Sequence, residues 1–296
     1  MTTTTAAPTG DATLSSGSGR HRSTAAPTGA RRQTLGRAIV TEWIKIRTLR
    51  STWIGMGSVL LILVAFGALA SAMTTGSVAA GPEDGGDGGP FGAGDPVSTV
   101  LTGASFAVLV VGVLGSLAGA REYSSRMIAA SVAAVPRRWQ VVVSKAVVFT
   151  AVVAVTAVTG VLGAFWLGMA VLSGSDAATV ALGDDGVLRQ VLGMAGYITA
   201  IGVIGLGLGV LLRSVAGSIG AVVAGVMILP TLAGALLPDS WDPVLQYLPS
   251  SAAAAFTTVQ GADTEVLSAG AGAAVLAAWV LAALVGAIVS ITRRDV

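Results

Sequence analysis

The residues of this chain that could do chemistry are concentrated between positions 121 and 145. This segment, REYSSRMIAASVAAVPRRWQVVVSK, is rich in arginine, and the residues on either side of it, 96–120 and 146–175, contain no ionisable side chain. Charged groups at an interface guide a partner and set its register more than they increase affinity. The segment is therefore a candidate docking surface for a second molecule, placed between two apolar runs.

The rest of the sequence offers no catalytic centre. The single histidine, His21, lies in a polar N-terminal segment, and the absence of cysteine excludes disulfides and thiolate metal ligands. A nucleotide-binding P-loop needs a Gly-Lys pair before Ser or Thr, whereas the only lysines, Lys45 and Lys145, follow Ile44 and Ser144. We expect no catalytic residues, no metal site and no cofactor in this chain, and we do not expect it to be an enzyme.

Six apolar segments must position the candidate docking surface. The chain is 53% hydrophobic and 11% charged, whereas soluble proteins average about 25% charged residues. A helix needs roughly 20 apolar residues to cross a bilayer core of about 30 Å. We therefore predict an all-α integral membrane protein. Its spanning helices are expected at about residues 53–73, 97–120, 141–172, 190–212, 215–237 and 267–291.

The distribution of charge predicts how these helices are oriented. Apart from Arg189, every lysine and arginine lies before residue 51, within 121–145, at Arg213 or at the C-terminus. The acidic residues concentrate in the segments between, at 75–96, 173–189 and 238–265. Cytoplasmic loops of membrane proteins carry the excess of lysine and arginine. We therefore expect a multi-pass protein of the plasma (inner) membrane with both termini in the cytoplasm.

Two different segments precede the first span. Residues 1–33 contain too few apolar side chains to offset the entropy of ordering, and we expect a disordered cytoplasmic tail. Residues 34–52 are expected to form an amphipathic helix in the headgroup layer, with a simple basic membrane anchor as the alternative. Its apolar residues recur at helical spacing, at Leu35, Ile39, Trp43, Ile46 and Leu49. Its expected interfacial residues are Trp43, Lys45, Arg47 and Arg50.

The uncharged segment 243–262 raises the question of a seventh span. A seventh crossing would place Arg293 and Arg294 outside, against the charge rule. We predict instead a short helix at about 250–259 on the outer surface, dipping into the interface. Within the spans, Gly115 and Gly119, and likewise Gly205 and Gly209, have the spacing that lets helices pack closely.

In the order of these elements the chain resembles the permease subunit of an ABC-2 type transporter, in the actinobacterial form with six helices and a separate ATPase. The resemblance covers residues 34–296 and rests on EWIKIRTLRSTW at 42–53, on the block 122–145 and on LQYLPSSAAAAF at 245–256. The block departs from the family pattern at 124–126, where Ser-Ser-Arg replaces the usual Gly/Thr turn. The resemblance implies a connecting helix at 34–52 and a permease domain at 53–296.

The resemblance also implies a coupling helix at 123–134 that docks on the ATPase subunit, where ATP and Mg are bound. The implied coupling residues are Arg121, Glu122, Tyr123, Arg126, Met127, Ile128, Pro136, Arg137 and Arg138. Further implied partners are a second permease subunit, in a homodimer or heterodimer, and membrane lipid, but not nucleic acid. The implied function is export driven by ATP. As an alternative, the arginines only fix topology against anionic lipid, and the chain is a non-transporting anchor or accessory subunit.

The spans also bear on the class of cargo. Ion-coupled transporters usually carry ionisable residues at membrane depth, whereas the polar residues in these spans are mainly hydroxylic. Examples are Thr150, Thr156, Thr159 and Thr199. Such spans suit an apolar or amphipathic cargo better than an ion, and they leave drug, peptide, lipid and polymer cargoes open.

Overall fold

A computed structural model of the chain describes residues 34–77, 95–124, 139–258 and 267–293, and throughout these residues the regular structure is helical. The predicted tail at 1–33 and most of the predicted coupling segment lie outside the described residues. The helices are α1 (Leu35–Thr48), α2 (Arg50–Thr74), α3 (Pro96–Val100), α4 (Ala104–Ser124), α5 (Trp139–Leu172), α6 (Val187–Leu212), α7 (Val215–Val223), α8 (Leu229–Leu236), α9 (Asp242–Leu245), α10 (Pro249–Thr257) and α11 (Ala269–Arg293).

Six of the described helical segments are long and apolar enough to cross a membrane. They are Arg50–Thr74, Ala104–Arg121, Trp139–Leu172, Val187–Leu212, Val215–Leu236 and Ala269–Arg293. The number, length and composition of these helices confirm the prediction of an all-α, multi-pass membrane protein with six spans. The third span, α5, has 34 residues and a length of about 51 Å, so it extends beyond a bilayer core of about 30 Å.

The central helix of the bundle is α6, which packs against α4, α5, α7, α10 and α11. The contact with α4 is the most extensive, and it depends on the two predicted glycine pairs. A Cβ added to Gly209 would lie 2.6 Å from the carbonyl oxygen of Ser116, and one added to Gly205 would overlap the carbonyl of Gly112. Glycine is therefore required where these two backbones touch, as the spacing predicts.

The second span differs from its prediction as one helix over 97–120. The chain forms the short buried helix α3, turns at 101–103, and continues as α4. The turn packs directly on α2, because a Cβ at Gly103 would lie 2.6 Å from the carbonyl oxygen of Ile62. The Thr102 hydroxyl also donates to the Thr99 carbonyl oxygen at 2.8 Å. A close backbone contact thus interrupts an apolar run that composition alone shows as continuous.

The fifth span contains a π-helical segment, Ala224–Ile228, between α7 and α8. Pro230 has no backbone N–H, and its ring would clash with the carbonyl group four residues earlier in a regular α-helix. The helix widens there, and the Leu229 N–H donates to the carbonyl of Ala224. After this span, α10 confirms the short helix predicted near 250–259, and its nine residues are too few to cross a membrane.

Candidate functional site: the basic end of the bundle

Most of the described basic side chains lie at one end of the helical bundle, which we call the basic end. It comprises α1, the starts of α2 and α5, and the ends of α4, α6 and α11. Three long-range contacts join these elements, from Lys145 to Glu42, from Arg121 to Ser51, and from Arg213 to Ser290. The basic end carries Lys45, Arg47, Arg50, Arg121, Lys145, Arg213 and Arg293.

A buried acid lies at the centre of the contact between α1 and α5. The side chain of Glu42 is only 9% exposed, and it binds Lys45 Nζ through Oε1 at 2.6 Å and Lys145 Nζ through Oε2 at 3.3 Å. These are the only two lysines in the sequence. A carboxylate is costly to bury unless it is paired. The two lysines therefore make it possible for Glu42 to lie on the packed face of α1.

The two ion pairs of Glu42 differ in character. Lys45 is one turn away on the same helix and 41% exposed, so its pair is largely solvated and contributes little. Lys145 is 12% exposed and reaches Glu42 from α5, 103 residues further along the chain. The Glu42–Lys145 pair is therefore the polar link that fixes α1 against the bundle.

The packed face of α1 differs from the predicted apolar stripe. Ala38 and Glu42 are its buried residues, whereas Trp43 is 47% exposed and lies on the opposite face with Val40 and Ile44. The stripe was predicted on the assumption that charged side chains face solvent, and the partner at Lys145 removes that requirement for Glu42. An exposed tryptophan beside aliphatic residues remains suited to the headgroup layer.

A corner at Leu49 separates α1 from the first span, so the predicted helix at 34–52 ends earlier than expected. Leu49 has extended backbone geometry, and α2 begins at Arg50. The Trp53 indole Nε1 donates to the Arg47 carbonyl oxygen at 3.1 Å, which satisfies a carbonyl in the last turn of α1. Both Arg47 and Arg50 are exposed. The corner thus presents two arginines beside an interfacial tryptophan.

The predicted coupling residues are only partly within the described structure. Arg121 is exposed, and its Nη1 lies 3.5 Å from Ser51 Oγ at the start of α2. Glu122 and Tyr123 belong to the last turn of α4. The other predicted coupling residues lie outside the described residues: Arg126, Met127, Ile128, Pro136, Arg137 and Arg138. The segment that contains them lies between the C-terminus of α4 and the N-terminus of α5, and both of these helix termini lie at the basic end.

Arg213, which the charge pattern indicates only as a marker of topology, also has a packing role in the structure. It follows α6 with a left-handed backbone (φ 52°), and its Nη2 donates to the Ser290 carbonyl oxygen of α11 at 3.2 Å. A lone arginine in a two-residue turn between apolar runs was the sequence feature that could have indicated this. The turn between the fourth and fifth spans is thereby tied to the last helix.

The described part of the chain contains no cluster of three or more histidine, aspartate or glutamate side chains that could hold a metal ion. The basic end is suited to binding, because it combines positive charge, the exposed tryptophans Trp43, Trp53 and Trp139, and a buried ion pair that joins α1 to α5. A comparison with protein-family models and a comparison with curated proteins each find no match to this chain.

Proposed function

We propose that this chain is the membrane-embedded permease subunit of an ATP-driven exporter of the ABC-2 type, powered by a separate ATPase subunit that docks on the segment between α4 and α5. The observation that best supports the proposal is the pair of contacts that flank this segment. Arg121 at the end of α4 contacts Ser51, and Lys145 near the start of α5 binds Glu42. A force applied to the segment would reach the α1–α2 corner from both sides.

The proposal assigns the energy source to another polypeptide, because the sequence contains no Gly-Lys-Ser/Thr element to hold phosphates. It also includes a second permease subunit, since most of the fifth span is exposed on this single copy. The purified chain alone should then neither bind nor hydrolyse ATP. Hydrolysis by the isolated chain, at a rate that follows its purity through a second column, would contradict this assignment.

The docking step can be tested by placing charge on the proposed anchor face. Met127→Asp combined with Ile128→Asp should lower co-purification with the ATPase subunit, sought first among P-loop proteins encoded in adjacent reading frames, by at least about tenfold, or ~1.4 kcal/mol. The physical reason is that unpaired carboxylates would be desolvated in the docking groove. The control is Val244→Asp, an exposed valine in α9 at the opposite end of the bundle, which should leave the yield of complex unchanged.

A normal complex and normal transport with the double variant would contradict docking at this segment. Failure to find any ATPase that co-purifies with the unmodified chain would favour the alternative of an anchor or accessory subunit.

The proposed orientation places the basic end in the cytoplasm. In this cysteine-free chain, Gly183→Cys should react with an impermeant maleimide on intact cells, because this exposed glycine lies in the acidic segment at the opposite end. Thr292→Cys, in the last turn of α11 at the basic end, should react only after the cells are opened. The reverse pattern would overturn the orientation and, with it, access of a cytoplasmic ATPase to the docking segment.

A further inference from the structure

A cavity of about 460 Å³ lies between α4, α6, the fifth span and α10. It is lined by the N-terminal halves of α4 and α6 and by the second half of the fifth span. The other ends of these helices lie at the basic end, so the cavity belongs to the opposite half of the bundle. Its volume falls within the range of small-molecule pockets and is far larger than the voids left by close packing.

The cavity is associated with the widened helix in the fifth span. Val226 and Met227 from the π-helical segment and Pro230 just beyond it form one wall. The opposite walls are Met194 and Tyr197 of α6 and the start of α4. Single π-helical turns inside α-helices often accompany functional sites. The wall is therefore displaced by a defined backbone feature and not by a random packing defect.

The lining specifies the charge of an occupant. None of the described residues that line the cavity is an acid, a lysine, an arginine or a histidine, and most of them are aliphatic, aromatic or methionine. An ionised group placed there would be desolvated without a partner, which is strongly unfavourable. Methionine side chains adapt to ligands of different shape. An uncharged molecule with an apolar body is the chemistry that fits.

The lining also offers hydrogen-bonding groups. The Ser250 Oγ is buried and has no hydrogen-bond partner among the described residues. The Thr231 hydroxyl donates to the Met227 carbonyl oxygen at 2.8 Å, so its oxygen can still accept. A buried hydroxyl without a partner is unfavourable, because it has lost its hydrogen bonds to water. A hydroxyl or carbonyl oxygen of a ligand would accept from the Ser250 hydroxyl, and a ligand hydroxyl could also donate to Thr231 Oγ1.

Two residues that line the cavity also reach the surface of the bundle: Phe106 and Met227 are 42% and 56% exposed. Both belong to helices long and apolar enough to cross a membrane, so a molecule dissolved in the apolar surroundings could reach the cavity from there. We propose that this cavity binds an uncharged amphipathic molecule, with its apolar part between Phe106, Met194 and Met227 and its polar group on Ser250. The binding itself needs no ATPase, whereas identifying this molecule as the exported cargo rests on the proposed function.

The probe for this proposal is a photoreactive diazirine derivative of octanol. The full chain in phosphatidylcholine nanodiscs should be labelled saturably on peptides that contain Met194, Met227 or Ser250. Excess 1-octanol should displace the label, whereas octylammonium should compete at least about tenfold more weakly because its charge has no partner. Competition by dioctanoylglycerol at lower concentrations than by octanol would identify the natural source as a lipid, and the reverse order would identify a free solute.

Two matched pairs of variants test the position of the site. Thr231→Trp fills the cavity and should abolish saturable labelling, whereas Thr159→Trp should not. Both threonines are exposed, lie within spans and donate their hydroxyl to the carbonyl four residues earlier, but only Thr231 lines the cavity. Ser250→Ala should raise the half-saturating concentration by about threefold to tenfold, the factor for one hydrogen bond. Ser218→Ala, whose buried hydroxyl already bonds Val215, should leave it unchanged.

Non-saturable labelling spread over the lipid-facing helices would overturn the proposal. So would normal labelling in a folded Thr231→Trp variant, with folding judged by helical circular dichroism and a single size-exclusion peak. Saturable binding without ATP-driven transport of any bound molecule would refute only the proposed function. Transport that survives loss of binding in Thr231→Trp would refute only the cavity as the cargo site.

Discussion

The fourth and fifth spans are adjacent in sequence and similar in composition, yet they pack very differently. In α6, 61% of the most apolar stretch is buried within the molecule, against 11% in Val215–Leu236. Both contain several glycines. Gly205 and Gly209 of α6 touch the backbone of α4, and Gly207 touches α11, whereas added Cβ atoms at Gly220, Gly225 and Gly234 of the fifth span would meet open space.

This comparison shows that hydropathy and glycine content do not determine how a membrane helix packs. In lipid, apolar side chains gain little by leaving one apolar surface for another, so close van der Waals contact decides which helices associate. Gly205 and Gly209 of α6 pack on the part of α4 that carries Gly115 and Gly119, while three glycines of the fifth span meet no neighbouring helix. The outward surface of the fifth span is thus available for lipid or for a second chain, as the proposed dimer requires.

The largest expected effect comes from breaking the α4–α6 contact. Gly205→Ala should destabilise the protein by about 1–3 kcal/mol, because the added methyl group overlaps the Gly112 carbonyl and the backbones must separate. Gly225→Ala is the matched control. With open space around it, the substitution should be neutral or stabilising by up to about 1 kcal/mol, the gain in helix propensity. Thermal unfolding in detergent would measure both, and equal melting temperatures would contradict the comparison.

The ion pairs of Glu42 with Lys45 and Lys145 provide the second test, because an ion pair, and not a close glycine contact, links α1 to α5. Lys145→Met should cost about 2 kcal/mol, below the 3–5 kcal/mol for breaking a fully buried pair because Lys45 remains bound to Glu42. Lys45→Met should cost less than about 1 kcal/mol because that pair is solvated. If the two variants unfold at the same temperature, Lys145 does not have the structural role assigned to it.

The features that could be predicted from the sequence are those that depend on composition and local spacing. Six spans follow from uncharged runs, because the thickness of the bilayer sets the length of a crossing helix. That the glycine pairs of α4 and α6 serve close packing followed from their spacing, and the short non-spanning α10 followed from the charge rule.

The features that could not be predicted depend on distant partners. The burial of Glu42 requires Lys145, which is 103 residues away. The turn at Gly103 requires close contact with the backbone of α2 at Ile62 and Leu63, and the cavity requires four elements to meet. No local pattern contains these contacts. The coupling residues at 126–138 stay a prediction from sequence, because only the helix ends on either side of them are described.

The smallest expected effect concerns Arg213, the residue that joins the two contrasted spans. Its left-handed backbone is unfavourable for a side chain by roughly 1 kcal/mol, while its bond to the Ser290 carbonyl contributes about 1.5 kcal/mol as a charged hydrogen bond. Arg213→Gly removes both the backbone penalty and the hydrogen bond to Ser290, and it should change the free energy of unfolding by less than about 0.5 kcal/mol. Arg213→Ala removes the bond but keeps the backbone penalty, so it should be less stable than the glycine variant by about 1 kcal/mol. Melting temperatures measured side by side would separate the two terms, and an alanine variant as stable as the glycine variant would show that this turn relaxes out of its left-handed geometry.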